Sequence, residues 1–318
     1  MDNPTGLERR LLGLGGPSVS AVGLGTNSFG SRMPNEAVAE VVHTALDHGV
    51  NLFDTADIYG RGESERLLGQ ALRERRDEAL IATKFGMPRA GEDPDQHRGS
   101  PAYIRASADA SLARLGVEVI DIYQMHQPDP ATPIAESLGA LHELVGAGKV
   151  RWIGCSNFPA WQVVEAKWTA QALGLTTFVF AQDEYSLLER DAERELLPAL
   201  EHVGMGLLPY FPLARGLLTG KYKRGEPAPP GTRASQNSAM LEDQTTFNTL
   251  EVLEAFAQRR GLTLLQVAFG ALLGRPAVAS VIAGATRPEQ VVANVKAAEW
   301  TATDEDWNEL DRITAPEP

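Results

Sequence analysis

Cysteine is almost absent: Cys155 is the single one in 318 residues. No intrachain disulfide can form, and a reducing compartment fits. No charged-plus-apolar leader opens the sequence, which begins Met1-Asp2-Asn3-Pro4-Thr5-Gly6. Long hydrophobic runs are missing too. The longest near-apolar stretch, residues 262–273, is interrupted by Thr263 and Gln266 and is too short to span a bilayer. Basic residues are in the minority, 29 Lys and Arg against 42 Asp and Glu, for a net charge of −13. Binding to a phosphate backbone or an acidic membrane needs a basic footprint. Nucleic acid and membrane are therefore excluded as main partners, and the cytoplasm is the expected compartment. His43, His48, His97, His142 and His202 show no metal-ligand spacing, so no metal site is expected.

What is present is a balanced globular composition, 43% hydrophobic and 22% charged. The chain is long enough for a large core, and a single α/β barrel of this size is ordinary. With neither repeat nor linker in view, one domain over residues 1–318 is expected.

Residues 9–12 and 18–22 flank Gly13-Leu14-Gly15-Gly16-Pro17 and suggest a small hairpin leading into a strand. Strand-like cores then recur at residues 19–24, 50–53, 79–83, 119–124, 150–154, 177–181, 206–208 and 278–282. Helix-like segments alternate with them. Asn35 is a good N-cap for a helix over 36–48, Ser100-Pro101 opens 102–115, and Pro133 opens 134–145. Further helices are expected at 63–75, 159–172, 193–202, 248–260 and 288–298, with extra ones at 263–273 and 304–313. Such alternation implies βαβ units and a parallel sheet. Eight strands favour a closed (β/α)8 TIM barrel with an N-terminal β-hairpin and extra C-terminal helices; a doubly wound open sheet shares the alternation. Residues 223–246, rich in Pro, Gly, Ser and Asn, suggest a mobile surface loop.

In such a barrel, reactive groups collect where strands end and the following loops begin. Asn51-Leu52-Phe53-Asp54-Thr55-Ala56-Asp57-Ile58-Tyr59-Gly60 puts a carboxylate and a phenol at one strand's exit. The next strands end at Lys84, at Gln124-Met125-His126, at Ser156-Asn157, at Gln182-Asp183 and at Pro209-Tyr210. Asp54, Tyr59, Lys84 and His126 together suit acid–base work. A free tyrosine, with a pKa of about 10, is a poor donor near neutrality, and a nearby ammonium stabilises its phenolate. An aspartate keeps that lysine charged and in place, and a histidine can hydrogen-bond a substrate carbonyl. The set suits protonation of a carbonyl oxygen while hydride reaches its carbon. No side chain donates hydride, so a nicotinamide cofactor is implied.

Over nearly its whole length the chain resembles the aldo-keto reductases. The resemblance rests on Gly23-Leu24-Gly25-Thr26, on the run from Phe53 through Tyr59-Gly60-Arg61-Gly62-Glu63-Ser64-Glu65, on Asp121-Ile122-Tyr123-Gln124-Met125-His126, on Trp152-Ile153-Gly154-Cys155-Ser156-Asn157-Phe158, and on Leu213-Ala214-Arg215-Gly216-Leu217-Leu218-Thr219-Gly220-Lys221-Tyr222. It implies a catalytic tetrad of Asp54, Tyr59, Lys84 and His126. It also implies an extended NADPH across the barrel mouth, in contact with Asp54 and with Gly25, Thr26 and Asn27. Ser156, Asn157 and Gln182 would hold the carboxamide, and Tyr210 would stack on the nicotinamide. Leu213, Arg215 and Lys221 would lie near the pyrophosphate; Gly284, Ala285, Arg287, Gln290 and Asn294 would surround the adenosine. Arg287, a guanidinium suited to a 2′-phosphate, favours NADPH over NADH. The family pattern is broken at Phe211, where many relatives carry Ser, at Asp183 for a common Asn, and at Ala283 for a frequent Pro. Oxidation of a sugar or cyclitol alcohol uses the same site in reverse. The fold also serves as a cofactor-sensing subunit of potassium channels, and the motifs resemble that branch too.

Other readings are narrower. Asp57 is expected to support its loop, Cys155 to be a packed thiol, and Trp152 to pack. Gly23-Leu24-Gly25 is followed by Ser28 where a dinucleotide fingerprint needs its third glycine. Residues 216–222 are one residue short of a P-loop and end in Tyr222, which cannot replace its Ser or Thr. The partner expected is a small carbonyl compound. Its specificity is assigned to residues 29–33, 87–99 and 223–246, and neither the substrate nor the oligomeric state is legible.

Overall fold

The computed structural model describes residues 6–89, 91, 93, 96–230, 232, 235 and 241–314. An antiparallel hairpin comes first, β1 (Arg9–Leu11) against β2 (Ser18–Ser20), with Arg9 opposite Ser20 and Leu11 opposite Ser18. Eight parallel strands follow among the described residues: β3 (Val22–Gly25), β4 (Leu52–Asp54), β5 (Leu80–Phe85), β6 (Ile120–Met125), β7 (Val150–Ser156), β8 (Phe180–Glu184), β9 (Gly206–Tyr210) and β10 (Val281–Gly284). Their order is β10-β3-β4-β5-β6-β7-β8-β9. The ends of that row meet just before β10: Leu207 bridges Val278 in parallel, its N–H donating to Ala277 O at 2.6 Å and its carbonyl accepting from Ala279 N at 3.0 Å. This bridge closes the expected TIM barrel.

Helices return the chain between strands: α1 (Val38–Asp47), α2 (Glu63–Leu72), α3 (Pro101–Leu115), α4 (Ile134–Gly146), α5 (Ala160–Leu173) and α6 (Leu196–Val203). Among the described residues, α7 (Gln244–Arg259) and α8 (Leu264–Leu273) lie between β9 and β10, and α9 (Pro288–Ala297) and α10 (Asp304–Thr314) follow β10. No described helix is long and apolar enough to cross a membrane. One large apolar cluster fills the space between barrel and helices, and a second ties α7, α8 and α10 together. A third occupies the barrel interior, where the hairpin's Leu12 and Val19 pack with Leu52, Ile122, Phe180 and Ile282.

Several boundaries differ from the expectation. The strand expected at 19–24 is two strands. Ser18–Ser20 pairs antiparallel with β1 and Val22–Gly25 enters the barrel, with Ala21 between them. The strand expected at 177–181 is Phe180–Glu184. Its apolar pattern stops at Ala181, but the backbone ladder continues past it because the polar residues that follow face the barrel mouth. Asn35 is not a cap: it begins a 3₁₀ turn, Asn35–Ala37, after Pro34, and the helix itself starts at Val38. The helix expected at 193–202 begins at Leu196, behind a 3₁₀ turn at Asp191–Glu193. The helix expected to start at 248 starts at Gln244, where the Asp243 side chain accepts from Thr245 N. Ser100 caps α3 as expected, accepting from Tyr103 N. The loops assigned to 87–99 and 223–246 lie partly outside the described residues.

Candidate active site

Strand alternation builds the site. Successive side chains point to opposite faces, so the apolar interior positions Leu52, Ala82, Ile122 and Phe180 predict which residues face inward two positions later. Those are Asp54, Lys84, Gln124 and Gln182, all buried at the mouth end of the barrel. On β7 the interior position is Gly154. A Cβ there would meet the Phe180 ring at 2.2 Å, so only glycine leaves room for the phenyl ring. A polar layer thus rests directly on an apolar one, out of bulk water.

Within that layer Lys84 is fully buried and donates to Asp54 Oδ2 at 2.8 Å and to the Thr55 carbonyl at 2.8 Å. Its Nζ also hydrogen-bonds the Tyr59 phenol and lies 5.1 Å from that ring's centroid. Burial works to lower the lysine pKa. Asp54 and Tyr59 more than offset it and hold the pKa above its ordinary value, so the ammonium persists at neutral pH. Asp54 Oδ1 accepts from Gln124 Nε2 at 3.2 Å and from Gln182 Nε2 at 3.0 Å. His126 stands edge-on to Tyr59, with ring centroids 6.3 Å apart and an interplanar angle of 81°. Desolvation, reinforced by the Lys84 charge, pushes the His126 pKa down to about 2, so its imidazole is neutral. Its Nδ1 is buried without a hydrogen-bond partner among the described residues. The four residues expected to act together therefore do converge.

The rim residues divide. Ser156, Asn157 and Tyr210 form one chain: Asn157 Nδ2 donates to Ser156 Oγ at 3.1 Å and to the His126 carbonyl at 2.9 Å, and the Tyr210 hydroxyl donates to Asn157 Oδ1 at 2.8 Å. Asn157 holds this place with φ +60°, a left-handed conformation that asparagine tolerates better than most residues. Gln182 faces the layer just described and lies opposite Ser156 in the strand register. Thr26 is sealed off. It is fully buried, donates to the Asp54 carbonyl at 3.0 Å and pairs with Ser64 Oγ at 2.8 Å. Its side chain braces the strand exits and offers nothing to a ligand. Ser64 meets Thr55 Oγ1 at 2.9 Å, extending the brace beneath Lys84.

The loop after β9 and the start of α9 carry the cations. Arg215 makes a half-exposed ion pair with Glu184 at 3.2 Å and lies over the Phe211 ring at 4.8 Å. Phe211 thus supports a guanidinium where a serine would offer a hydroxyl. Among the described residues, Lys221 and Arg287 have no carboxylate partner, although Lys221 lies 5.0 Å from the Tyr222 ring centroid. Arg287 is exposed at the N-terminus of α9, an end that favours anions. Leu213 is half-buried, and Gly25 and Gly284 are register partners on adjacent strands. Asn27 Oδ1 accepts from Arg32 at 3.2 Å, and Gln290 Oε1 accepts from Thr286 N at 2.7 Å. Ala285 and Asn294 are buried. Two cations without carboxylate partners among the described residues, a helix N-terminus and the Ser156–Asn157–Tyr210 chain make a donor set that fits an extended, phosphate-bearing ligand with a planar polar head.

Three further residues bear on the site. Gln124 touches Asp54, a contact that alternation from Ile122 signals in kind but not in partner. Asp57 pairs with Arg89, anchoring the loop after β5. Burial, against the pull of Arg89, raises the Asp57 carboxyl to about 6. Cys155 is fully buried, and desolvation pushes its thiol pKa up, as a packed residue should show.

A family model described as "Aldo/keto reductase family" matches residues 21–315. Among curated relatives, the chain is 33% identical over 302 residues to "Probable voltage-gated potassium channel subunit beta" of Arabidopsis thaliana, covering 92% of each chain. It is 35% identical over 303 residues to "Uncharacterized oxidoreductase YrpG" of Bacillus subtilis (strain 168), covering 92% of this chain and 91% of the relative. It is 34% identical over 310 residues to "Putative voltage-gated potassium channel subunit beta" of Schizosaccharomyces pombe, covering 93% of this chain and 90% of the relative.

Proposed function

Because the chain belongs to the aldo/keto reductase family of oxidoreductases, we propose that it reduces an aldehyde or ketone to an alcohol with NADPH. The observation that carries this reading is the buried Lys84–Asp54 pair at 2.8 Å with Tyr59 against Lys84 and a neutral His126 beside Tyr59. Bound NADPH supplies the hydride that the carbonyl carbon receives. Tyr59 gives its phenolic proton to the carbonyl oxygen, so hydride and proton together make the alcohol. Lys84 stabilises the phenolate left behind, and Asp54 keeps Lys84 charged and fixed. The neutral imidazole of His126 donates a hydrogen bond to the same carbonyl oxygen. Its Nδ1 has no partner among the described residues, and a buried lone pair is less costly to leave unpaired than a buried N–H, which puts the proton on Nε2. Ser156, Asn157 and Gln182 orient the carboxamide, and Tyr210 presents its ring to the nicotinamide. Arg215 and Lys221 meet the pyrophosphate. The Arg215–Glu184 pair is half-exposed and so of little net worth, which leaves Arg215 available to a phosphate. Gly25 and Asn27 border the ligand, and Gly284, Ala285, Gln290 and Asn294 surround its adenosine. Arg287 takes the 2′-phosphate and sets the preference for NADPH, with NADH as the weaker alternative.

Tyr59→Phe tests the assignment. Carbonyl reduction should fall by at least ~10²-fold, the scale of general-acid catalysis, while NADPH binding stays within the wild-type range. Near-normal turnover would end the reading. A panel of aldehydes, ketones, aldoses and α-dicarbonyls, run with NADPH and NADH, then defines the substrate; run backwards on sugar and cyclitol alcohols, it tests the oxidative direction.

The names of two relatives favour a second reading, a cofactor-sensing subunit of a potassium channel. Co-purification with a channel, together with no turnover on the carbonyl panel, would favour it over the enzyme.

A further inference from the structure

We propose that Gln124 is a positioning residue for the reaction, fixing the Asp54 carboxylate so that Oδ2 faces Lys84 and thereby setting the acidity of Tyr59. The inference rests on the reduction mechanism proposed above and extends it to a residue outside the four. Asp54 divides its two oxygens: Oδ2 takes the Lys84 ammonium at 2.8 Å, and Oδ1 takes the Gln124 and Gln182 amides at 3.2 and 3.0 Å. Gln124 and Lys84 are register partners on β6 and β5. The glutamine therefore reaches past its neighbour on β5 to touch a residue of β4.

The orientation of the Gln124 amide follows from chemistry. Asp54 Oδ1 only accepts, so the amide nitrogen must face it. The amide oxygen then points the other way, into the buried layer, where Gln124 Oε1 has no hydrogen-bond partner among the described residues. Gln124 is fully buried. A leucine or methionine would fill this place without leaving a buried acceptor unpaired, so packing alone does not account for the glutamine. Its return is the bond to Asp54. Gln182 shares that oxygen, but it is also assigned to the nicotinamide carboxamide. Gln124 has no second task among the contacts of the layer.

The consequence passes through Lys84. An amide on Oδ1 draws part of the carboxylate's charge away from the lysine. Without it, Asp54 holds Lys84 more tightly, and the ammonium has less positive potential to offer the Tyr59 oxygen. Tyr59 then becomes a weaker acid, and the alkaline limb of the reduction, which reports loss of the phenolic proton, moves to higher pH.

Gln124→Leu tests this with NADPH and benzaldehyde as probes, read as kcat and KM from pH 6 to 10 alongside NADPH binding. On the general-acid scale, kcat should fall about tenfold and its alkaline limb should rise by about half a pH unit or more, with KM and the NADPH Kd within about twofold of wild type. An unmoved limb, or a loss confined to KM or to NADPH binding, overturns the proposal. Gln124→Met keeps the side-chain length without the donor and should behave as Gln124→Leu does. Failure of both variants to fold also overturns it, because Gln124 would then be structural. Tyr59→Phe separates the two layers of inference. If that variant still turns over, the underlying mechanism fails; if it is inactive while Gln124→Leu keeps the wild-type limb, only the role of Gln124 fails.

Discussion

His126 ties the site to the stability of the fold through its protonation. Burial and the Lys84 charge lower its pKa from 6.5 to about 2, so the folded protein binds no proton there where the unfolded chain does. The stability it contributes is complete above 6.5 and is lost as the pH falls below that value. Asp57 and Asp183 act with the opposite sign. Both carboxyls are raised to about 6, chiefly by burial, so the folded state takes up their protons first and gains stability on acidification between about 4 and 6. Whole-protein acid titration mixes these terms, and a variant separates them. From pH 7.5 to pH 5, His126→Gln should gain about 2 kcal/mol relative to wild type, which is 1.5 pH units below 6.5 at 1.36 kcal/mol each. Urea unfolding of both proteins at the two pH values measures this, and a constant difference would show that His126 is not held neutral. The same residue scale shows where sequence reading stops. Asp54 and Lys84 were legible as a pair because both end barrel strands. The bond from Gln124 was not, because donor and acceptor are 70 positions apart and joined only by reach across the barrel. Nor could Thr26 be seen to spend its hydroxyl on the Asp54 carbonyl.

At the scale of elements, helix starts and strand limits are legible only in part. Ser100 caps α3 as its residue type suggests, but Asn35 falls in a 3₁₀ turn and Asp243 opens α7 ahead of its apolar pattern. In α8 the Thr263 side chain accepts from Gln266 N while Gln266 reaches back to Thr263 N at 2.9 Å, a reciprocal capping box. Thr263→Ala should cost about 1 kcal/mol of stability, measured by denaturant midpoint, and should leave turnover unchanged because α8 packs on α7 and α10, away from the tetrad. Loss of activity with unchanged stability would contradict this placement. Strand limits escaped the sequence at β8 for a physical reason. The apolar signal ends where the interior core ends, yet Gln182, Asp183 and Glu184 keep their ladder bonds with β9, from Gln182 opposite Leu208 to Glu184 opposite Tyr210. Functional strands are longer than their hydrophobic runs, because the site is built on the part that is no longer hydrophobic.

At the scale of the whole molecule, closing the barrel gathers on one rim groups that the chain holds far apart. If the rim binds NADPH as proposed, ligand at 100 times its Kd should stabilise the fold by about 2.7 kcal/mol, seen as a rise in Tm. In Arg287→Ala that NADPH shift should shrink while the NADH shift persists; equal changes with both cofactors would remove Arg287 as the basis for preferring NADPH. The sequence by itself determined the number of barrel strands, their alternation with helices, the absence of any intrachain disulfide, and which strand ends carry acid–base groups. Each of these follows from local periodicity and residue chemistry. Only the tertiary structure decided that Leu207 meets Val278 to close the sheet, that three side chains share the Asp54 carboxylate, and that His126 is too dry to hold a proton. Those outcomes depend on distance and dielectric, which arise when residues remote in sequence are packed into one interior.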